Sequence, residues 1–408
     1  MKPLRLFVIL IAICLCSIGS TGQGSENVIC SIVAFQQNKP KGINEITSTV
    51  TEATGKSWDA LAMRMNGKED LNSIYFFDRL HGWVGGRQAL YKTENGGKTW
   101  ESASIKIPED SIVEDIFFTG ALAGWIALRR APISGDHRLD HFWLMQTKDG
   151  GLTWGLNYEG ATQIQRVSFS SQQEGWFTTA DYITSSHSII RIFHTFDGGL
   201  HWVDVSSNFN EVRRADYRYL NDITVGIVPV GKRGATVLMS SGDIFKADDG
   251  EQNWRRLEVP FEFNPEGGFS RLGSANSDQL SVVGGRYPSH GKIGVKDRNN
   301  IWTVYNLNAF ISDATFVTNK QVLACGLIPR SNLKYLKGTP YPPKRFGELE
   351  PGGVVLSSSD GGSNWNVIYR NDEKRERFSL ITKLFAVDAR HIWVIGNRGL
   401  VIRLEATQ

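Results

Sequence analysis

The chain has 408 residues, with 45 Lys and Arg against 42 Asp and Glu, and a formal net charge of +3. A balance so close to neutrality argues against a nucleic-acid-binding protein, because that function draws on a large excess of positive charge. The hydrophobic content of 41% is ordinary for a globular protein, and no stretch beyond residue 20 is apolar and long enough to span a bilayer.

The first residues have the layout of a secretory signal peptide. Lys2 and Arg5 precede an apolar run over 6–16. Small residues follow this run, namely Ser17, Gly19, Ser20 and Gly22. We predict a leader over 1–21, cleaved near residues 20–22, and a secreted or periplasmic mature protein with no stable membrane span. A retained anchor is the alternative, but the run is short for a transmembrane helix.

The cysteines give no metal or lipidation pattern. Cys14 and Cys16 lie inside the leader, each after a large apolar residue, whereas a lipoprotein cleavage site needs a small one. For Cys30 and Cys325 two interpretations stay open: a disulfide in an oxidising compartment, or a buried small side chain at the end of the apolar run 322–325. The eight histidines show no ligand spacing. We expect neither a metal nor a cofactor.

Seven copies of one eight-residue box define the organisation of the chain. They occupy 51–58, 93–100, 147–154, 195–202, 247–254, 295–302 and 358–365, and each ends in tryptophan. Short aromatic or β-branched segments precede each box, as at 74–77, 81–86 and 89–92. Such self-similarity is typical of propellers and solenoids, whose repeats bury their apolar faces against one another. We therefore predict that each repeat forms four strands, and that the box is the turn between the third strand and the fourth.

The number of boxes predicts how the ring closes. After the last box come three more strands, near 381–387, 391–396 and 399–404, without a box. The first box has only a short apolar run, 29–35, before it. We predict one all-β domain over 29–408, a seven-bladed β-propeller with four-stranded antiparallel blades. The N-terminal segment supplies the outermost strand of the last blade, which removes exposed sheet edges and packs Trp58 against 381–404.

Every position of the box has a structural explanation. The third position holds a carboxylate in five copies, Asp149, Asp197, Asp249, Asp297 and Asp360. A short carboxylate there is able to accept hydrogen bonds from the turn's own N–H groups, and the Gly-Gly pairs that follow permit positive φ. We expect the final tryptophans to pack between neighbouring sheets, as Trp100, Trp154, Trp202, Trp254 and Trp365. Catalysis by the box aspartates is not expected.

The boxes resemble the Asp-box, or bacterial neuraminidase repeat, of sialidases, sortilin-type receptors, xyloglucanases and the photosystem II assembly factor family. In those families the box is a structural turn on the face away from the binding site. The resemblance implies a binding face made of the turns between second and third strands and the links between blades. Segments of variable length are concentrated there, at 129–140, 180–188, 229–241, 286–291 and 327–352 and, between blades, at 203–219, 255–270 and 366–379.

These segments are rich in positive charge and in aromatic residues. We predict that a protein partner or an anionic ligand binds there, through Arg130, Arg138, Arg213, Arg214, Arg218, Arg233, Arg286, Arg330, Tyr335, Tyr341, Lys344 and Arg345. Arginine forks suit carboxylates and phosphates, and the proline-rich segment 327–352 is the largest departure from the repeat. The alternative is a set of solvated charges, interleaved with Asp136, Asp140, Glu211 and Asp216.

Two functions are open on this scaffold, and one is a glycosidase. A sialidase-like enzyme needs three arginines on the substrate carboxylate, a tyrosine nucleophile with a glutamate partner, and an acid/base aspartate. Residues of the right type are available, among them Arg130, Arg214, Arg286, Tyr217 and Tyr305. The Arg-Ile-Pro motif of that family is absent, however.

The closer resemblance is to the photosystem II assembly factor family. Its order of Phe-x-Asp, Gly-Trp-x-x-Gly and box appears in blades one to three, and 384–404 is similar to its closing repeat, although blades four and five lack Gly-Trp. The resemblance implies an exported, non-enzymatic propeller that binds a partner protein during assembly. We also expect a monomer, and we do not carry the family's partner over to this chain.

Overall fold

The computed structural model describes residues 12–15, 31–34, 46–51, 57–65, 70–131, 141–184, 187–214, 222–231, 233–248, 253–259, 269–276, 279–286, 290–297, 299, 301–307, 309–318, 320–329, 351–371 and 380–407. Contacts divide the chain into two units, Met1–Ile43 and Asn44–Gln408. In the first unit, β1 (Ala12–Leu15) pairs antiparallel with β2 (Ser31–Ala34). The leader over 1–21 and a propeller start at residue 29 stay predictions.

The second unit contains seven antiparallel sheets, the blades of a β-propeller. β3 (Ile46–Thr51) and β4 (Ser57–Arg64) precede blade 1, which consists of β5 (Leu71–Phe76), β6 (Gly82–Gly86), β7 (Ala89–Thr93) and β8 (Glu101–Ser102). Blade 2 consists of β9 (Ser111–Phe118), β10 (Gly124–Arg130), β11 (Phe142–Thr147) and β12 (Gly155–Gly160). Blade 3 consists of β13 (Gln163–Phe169), β14 (Gly175–Thr184), β15 (His187–Thr195) and β16 (Val203–Asp204), followed by helix α1 (Ser207–Arg214).

Blade 4 consists of β17 (Thr224–Val230), β18 (Gly234–Met239), β19 (Ile244–Ala247) and β20 (Arg255–Leu257). Blade 5 consists of β21 (Phe269–Asn276), β22 (Gln279–Arg286), β23 (His290–Lys296) and β24 (Trp302–Leu307). Blade 6 consists of β25 (Phe310–Phe316), β26 (Val322–Pro329), β27 (Pro351–Ser358) and β28 (Asn366–Asn371). The last blade begins with β29 (Ile381–Asp388), β30 (His391–Gly396) and β31 (Leu400–Ala406).

Strands from both ends of the second unit form blade 7. Their order is β29, β30, β31, β4 and β3, and Trp58 on β4 lies opposite Ala406 on β31. Trp58 is fully buried and shares a core cluster with Leu384, Ile392 and Leu404. The predicted seven-bladed ring, closed by an N-terminal strand, is therefore confirmed. A fifth strand, β3, extends the outer edge of this blade and was not predicted.

The first strand of each blade lines the central channel, since successive first strands contact one another around the ring. Tryptophans on three second strands tie neighbouring blades together. Trp83, Trp125 and Trp393 stack on Phe118, Phe169 and Phe76 of the next blade, with ring centroids 5.6, 3.6 and 3.8 Å apart. The glycine before Trp83 is required by close packing, because a Cβ on Gly82 would lie 2.4 Å from the Phe76 ring.

Helix α1 seals most of the outer edge of blade 3, where β16 has only two residues. The Asn210 amide on α1 accepts a hydrogen bond from the backbone N–H of Ile190 at 3.3 Å and donates to its carbonyl at 2.6 Å. Arg213 Nη1 donates to the carbonyl of Ser188 at 2.9 Å. These side chains satisfy backbone groups of β15 that a longer fourth strand would otherwise pair.

Cys325 lies in β26 and is fully buried. The hydroxyl of Ser312, on the adjacent strand β25, lies 3.7 Å from its sulfur. These surroundings are those of a buried small side chain. Cys30 lies outside the described residues, so a bridge between the two cysteines stays untested.

Candidate functional site

The turns of the propeller divide into two faces. The box turn of a blade is hydrogen-bonded to the turn between the first and second strands of that blade, by Gly96 N to Leu80 O at 2.7 Å, Gly150 N to Leu122 O at 2.9 Å, Gly198 N to Gln173 O at 2.7 Å and Gly361 N to Lys320 O at 2.7 Å. We call this side the box face. The opposite side, called the loop face, carries the turns between second and third strands and the links between blades.

The box carboxylates are bonded within their own turns. Asp149 Oδ1 accepts from the backbone N–H of Thr153 at 2.9 Å and from the hydroxyl of Thr147 at 2.8 Å. The hydrogen bonds from Thr153 and Thr147 lower the pKa of Asp149 to about 2. Equivalent bonds hold Asp197, Asp297 and Asp360, while Asp249 lies outside the described residues. These carboxylates stabilise turns and are not arranged for proton transfer.

The box tryptophans pack between the sheets, although their indole N–H groups differ in their partners. Trp365 Nε1 donates to the carbonyl of Gly362 at 2.8 Å. Trp202 Nε1 donates to the side-chain oxygen of Asn157, in the preceding blade, at 3.0 Å. Trp254 packs on Phe209 of α1 with ring centroids 5.3 Å apart, and Trp100 and Trp154 are edge-on to neighbouring rings.

A β-bulge recurs in the first strand of all seven blades, near the loop face. In the half of each first strand toward the loop face the register skips one residue, and the skipped residues are Asn72, Glu114, Gln165, Val225, Ser270, Ser312 and Thr382. A bulge bends the strand and changes the direction of its side chains, and bulges are frequent next to functional sites. Six of the seven skipped residues are polar. The loop-face mouth of the channel therefore has a ring of polar residues on rigid strands.

Three cations surround one carboxylate of this ring. Arg129 Nε lies 2.7 Å from Glu114 Oε2, Arg166 Nη1 lies 4.0 Å from Oε1, and Lys383 Nζ donates to the backbone carbonyl of Glu114 at 3.4 Å. Burial opposes ionisation of Glu114, but attraction to Arg129, Lys383 and Arg166 outweighs it and holds the pKa of Glu114 below its usual value. These residues come from blades 2, 3 and 7. Cations of three blades therefore meet around one carboxylate at the channel mouth.

Two neighbouring carboxylates form hydrogen bonds between blades. Asp115 Oδ2 accepts from the backbone N–H of Val167 at 3.2 Å, and Asp313 Oδ2 accepts from that of Leu384 at 2.9 Å. Both bonds join the first strand of one blade to the first strand of the next. Asp313 is fully buried. We call Glu114, Arg129, Arg166 and Lys383 the mouth cluster.

The predicted arginines that the structure describes have different environments. Arg130 ends β10 on the loop face, with its guanidinium carbon 5.9 Å from the ring centroid of Trp143. Arg213 is directed into the protein, where it donates to the carbonyls of Ser188 and Asp222 at 2.9 and 3.2 Å. The guanidinium of Arg213 therefore has a structural role at the edge of blade 3.

Arg233 lies on the face opposite to the predicted one. It occupies the turn between β17 and β18, the first and second strands of blade 4, and its N–H donates to Glu174 Oε1 at 2.9 Å. Its guanidinium carbon lies 4.7 Å from the ring centroid of Phe196, in the box of blade 3. The prediction that 229–241 joins the second and third strands was wrong. Blade 4 lacks the Gly-Trp signature that marks a second strand, so its strands were assigned one position late.

Of the other predicted residues, the structure describes only two. Arg214 ends α1 and Arg286 ends β22 on the loop face. The remaining ones lie outside the described residues, namely Arg138, Arg218, Arg330, Tyr335, Tyr341, Lys344 and Arg345. Their role in binding stays a prediction.

Arg166 and Lys383 were not predicted, because binding residues were expected in loops and both of these lie on first strands. A signal was present, since charged residues interrupt the apolar first strands of the repeats, as in 111–118, 163–169 and 381–388. In a sheet with one face in water, charged residues at these positions would point into the solvent. In a first strand they face the channel instead.

The glycosidase constellation is not assembled by the described residues. Tyr305 lies on β24, an outermost strand, where a Cβ on Gly362 of the next blade would lie 2.7 Å from its ring. Tyr75 lies on a first strand, but its hydroxyl donates to the carbonyl of Phe118. Burial raises the pKa of Tyr75 to about 12, which opposes the phenolate that a nucleophile requires. Tyr217 is not among the described residues.

Within the described ranges, no group of three His, Cys, Asp or Glu side chains is placed to hold a metal ion. Nor does that part of the chain include a helix of the length and hydrophobicity that crossing a membrane requires.

Comparison with known proteins supports the resemblance to photosystem II assembly factors. No family model matches the chain. It is 23% identical over 288 residues to the photosystem II assembly lipoprotein Ycf48 of Synechococcus sp. (strain CC9902), a match that covers 64% of this chain and 78% of that protein.

Solved structures show the same architecture. A structure of YCF48 bound to a D1 peptide matches with a TM-score of 0.57 and 18% identity, over 86% of this chain and 97% of that one. YCF48 from Cyanidioschyzon merolae matches with a TM-score of 0.56 and 16% identity, over 85% and 98% of the two chains. The protein is thus a seven-bladed propeller similar in sequence and fold to photosystem II assembly factors.

Proposed function

We propose that this chain is an exported, non-enzymatic propeller that binds a partner protein as an assembly scaffold. The similarity to an assembly lipoprotein over most of both chains supports this function. YCF48, which has the same fold, has been solved bound to a D1 peptide, which supports a protein segment as the ligand class. The hydrogen bonds within the boxes support their interpretation as structural Asp-boxes, and the predicted leader supports export.

We infer that the partner binds at the loop-face mouth of the channel, and the mouth cluster is the observation that carries this proposal. Arg129, Arg166 and Lys383 lie around Glu114 there. Arg166 and Lys383 are held on bulged first strands, and Arg129 on the second strand β10. Cations that are partly desolvated and pre-positioned favour a carboxylate-bearing segment. The predicted loop-face residues Arg130, Arg138, Arg214, Arg218, Arg286, Arg330, Tyr335, Tyr341, Lys344 and Arg345 would extend the contact outward.

Affinity capture tests this function. The tagged full-length chain is incubated with the detergent-solubilised envelope fraction of its source, and the captured proteins are identified. Lys383→Gln should weaken capture of the partner several-fold and reduce its dependence on salt, because one partly buried cation is removed. Lys320→Gln is the matched control, since Lys320 is exposed in a turn of the box face.

Equal capture by the wild type and Lys383→Gln would place the partner elsewhere on the molecule. Hydrolysis of a fluorogenic sialoside by the wild-type chain would reject the non-enzymatic function itself. Thermal melting of both variants shows whether each keeps the fold.

A further inference from the structure

One position of the first strands gives the channel two unlike sides. It is the third residue after the β-bulge of each blade. Its neighbours Phe76 and Phe118 are buried against tryptophans of adjacent blades, and because side chains alternate along a strand, the position itself faces the channel. From blade 1 to blade 7 it is held by Tyr75, Phe117, Ser168, Val228, Gly273, Thr315 and Phe385.

Aromatic rings occupy this position in three consecutive blades, 7, 1 and 2. The ring centroid of Tyr75 lies 4.9 Å from that of Phe385 and 5.4 Å from that of Phe117. The three rings thus form one surface, which we call the aromatic wall, and each ring is partly exposed. The hydroxyl of Tyr75 donates to the carbonyl of Phe118, which holds the central ring in place.

The opposite side of the channel has small residues at the same depth. In blades 3 to 6 the position holds serine, valine, glycine and threonine. Each of these is smaller than an aromatic residue, and the glycine has no side chain at all. The first strands therefore leave space beside the aromatic wall.

The aromatic wall lies below the mouth cluster, as seen from the loop face. Lys383 and Arg166 are the first residues after the bulges of their strands, so each precedes the position of the wall by two residues. Two residues advance a strand by about 7 Å and return the side chain to the same side. Lys383 and Phe385, on one strand, are separated by this step.

We propose that the aromatic wall binds a large apolar side chain of the partner segment whose carboxylate contacts the mouth cluster. This inference rests on the proposed function and specifies the segment. In an extended chain, side chains two residues apart lie on the same side, again separated by about 7 Å. The segment therefore carries an acidic residue and a large apolar residue with one residue between them. Burial of the apolar side chain against three rings supplies affinity that the cations do not.

Binding of two synthetic peptides to the full-length chain tests the proposal, measured by fluorescence polarisation of labelled peptides. The first has the central sequence Leu-Gly-Glu-Gly-Leu, which places leucine two residues from glutamate in either chain direction. The second, Ser-Gly-Glu-Gly-Ser, keeps the carboxylate and lacks the apolar groups. The wild type should bind the leucine peptide about tenfold more tightly than the serine peptide, because one leucine is buried on the wall.

Four variants assign this preference to its position. Phe385→Ser should bring the ratio of the two affinities close to one, because a ring of the wall is lost. Ser168→Phe should do the same, because it fills the space opposite the wall. Lys383→Gln should weaken both peptides and keep the ratio. Phe196→Ser is the matched control on the box face, where Phe196 is 43% exposed, and it should bind both peptides as the wild type does.

Two results would overturn the proposal. The first is equal binding of the two peptides by the wild type, including no binding of either. The second is a preference for the leucine peptide that survives in both Phe385→Ser and Ser168→Phe. Phe385 also packs near Phe76, with ring centroids 6.4 Å apart, so thermal melting checks the fold, and Ser168→Phe keeps the wall intact. Capture of a protein partner that depends on Lys383, together with no peptide preference, would reject the wall and leave the proposed function in place.

Discussion

Arg213 illustrates how one residue can serve a different purpose from the one that its charge suggests. The sequence places it in a basic segment between blades, where partner binding is a natural hypothesis. In the structure its guanidinium donates to backbone carbonyls on both sides of α1, at Ser188 and Asp222. The carbonyl of Ser188 belongs to the edge of β15, beyond the short β16. Arg213 thus completes the hydrogen bonding of a sheet edge.

Replacement of Arg213 by alanine should therefore destabilise the fold. Two part-buried carbonyls lose charged donors, which costs about 1 to 3 kcal/mol in the free energy of unfolding. Urea unfolding of Arg213→Ala measures this loss. Arg191→Ala is a matched control on β15, because Arg191 is about half exposed and pairs with Asp181 and Asp204 at the surface, so its loss should stay below about 1 kcal/mol. Equal stability of Arg213→Ala and the wild type would contradict the edge-sealing role.

His194 gives a prediction for pH. It is fully buried, stacks on Trp176 at 4.1 Å, and lies 3.5 Å from Glu174. Burial lowers its pKa from the ordinary value of 6.5 to about 4, while Glu174 acts in the opposite direction and Arg233 adds to the lowering. The folded protein thus keeps His194 neutral where the unfolded chain is protonated, so its contribution to stability is complete above pH 6.5 and falls between pH 6.5 and 4.

The loss from His194 across that range is at most about 3 kcal/mol. Urea unfolding at a series of pH values measures it. His194→Gln should be less stable at neutral pH but show a flatter profile below pH 6.5, whereas His290→Gln, at an exposed position, should keep the wild-type slope. A profile of His194→Gln that parallels the wild type would show that another group titrates.

At the scale of elements, the box turn joins a blade to the blade before it. The second glycine of the box of blade 2, Gly151, has φ +84°, and a Cβ there would lie 2.3 Å from Trp83 of blade 1. Gly361, the first glycine of the box of blade 6, has a similar φ of +78° but nothing within 4 Å of its Cβ position. Both glycines supply the left-handed backbone, but only Gly151 also supplies space for a tryptophan.

Alanine at the two positions separates these effects. Gly361→Ala should cost about 1 kcal/mol for the positive φ alone. Gly151→Ala should cost about 1 to 3 kcal/mol more, because Trp83 must move from its packed position. Thermal or urea unfolding compares the two variants. If their costs are equal, the contact between the box and Trp83 does not constrain the blade interface.

A strand could be predicted from the sequence where a short motif within that strand marks it. Gly-Trp marks the second strand of blades 1 to 3, since the glycine fits against a phenylalanine of the same blade. In blades 1 and 2 the tryptophan also stacks on the next blade. Blade 4 has no such pair, which explains the misplacement of 229–241. Helix α1 had no local signal, because its function as an edge depends on bonds from Asn210 and Arg213 to a strand about 20 residues earlier.

At the scale of the whole molecule, the closure of the ring could be predicted by counting boxes and strands. The last three strands are followed by no box, and the first box is preceded by no complete repeat. The mouth cluster could not be predicted in this way. Lys383 and Glu114 are 269 residues apart, and they meet only because the ring places blade 7 close to blade 2 across the channel. The bulges that direct these residues inward appear only in the strand register.

We expect the two faces of the propeller to differ in function. The loop face, with the mouth cluster at its centre, is proposed to bind a protein segment, and the box face carries the box turns. Because the ring keeps the two faces apart, substitutions on the box face are expected to leave partner binding at the loop face unchanged.

Site-specific photo-crosslinking from the loop face tests the central claim most directly. Benzoylphenylalanine replaces either Glu109, which is exposed in the link that leads into β9, or Ser363, which is exposed in the box of blade 6. We predict a protein adduct from position 109 in the envelope fraction, reduced by Lys383→Gln, and no adduct from position 363 in the same fraction. An adduct from position 363 alone would contradict the assignment of partner binding to the loop face.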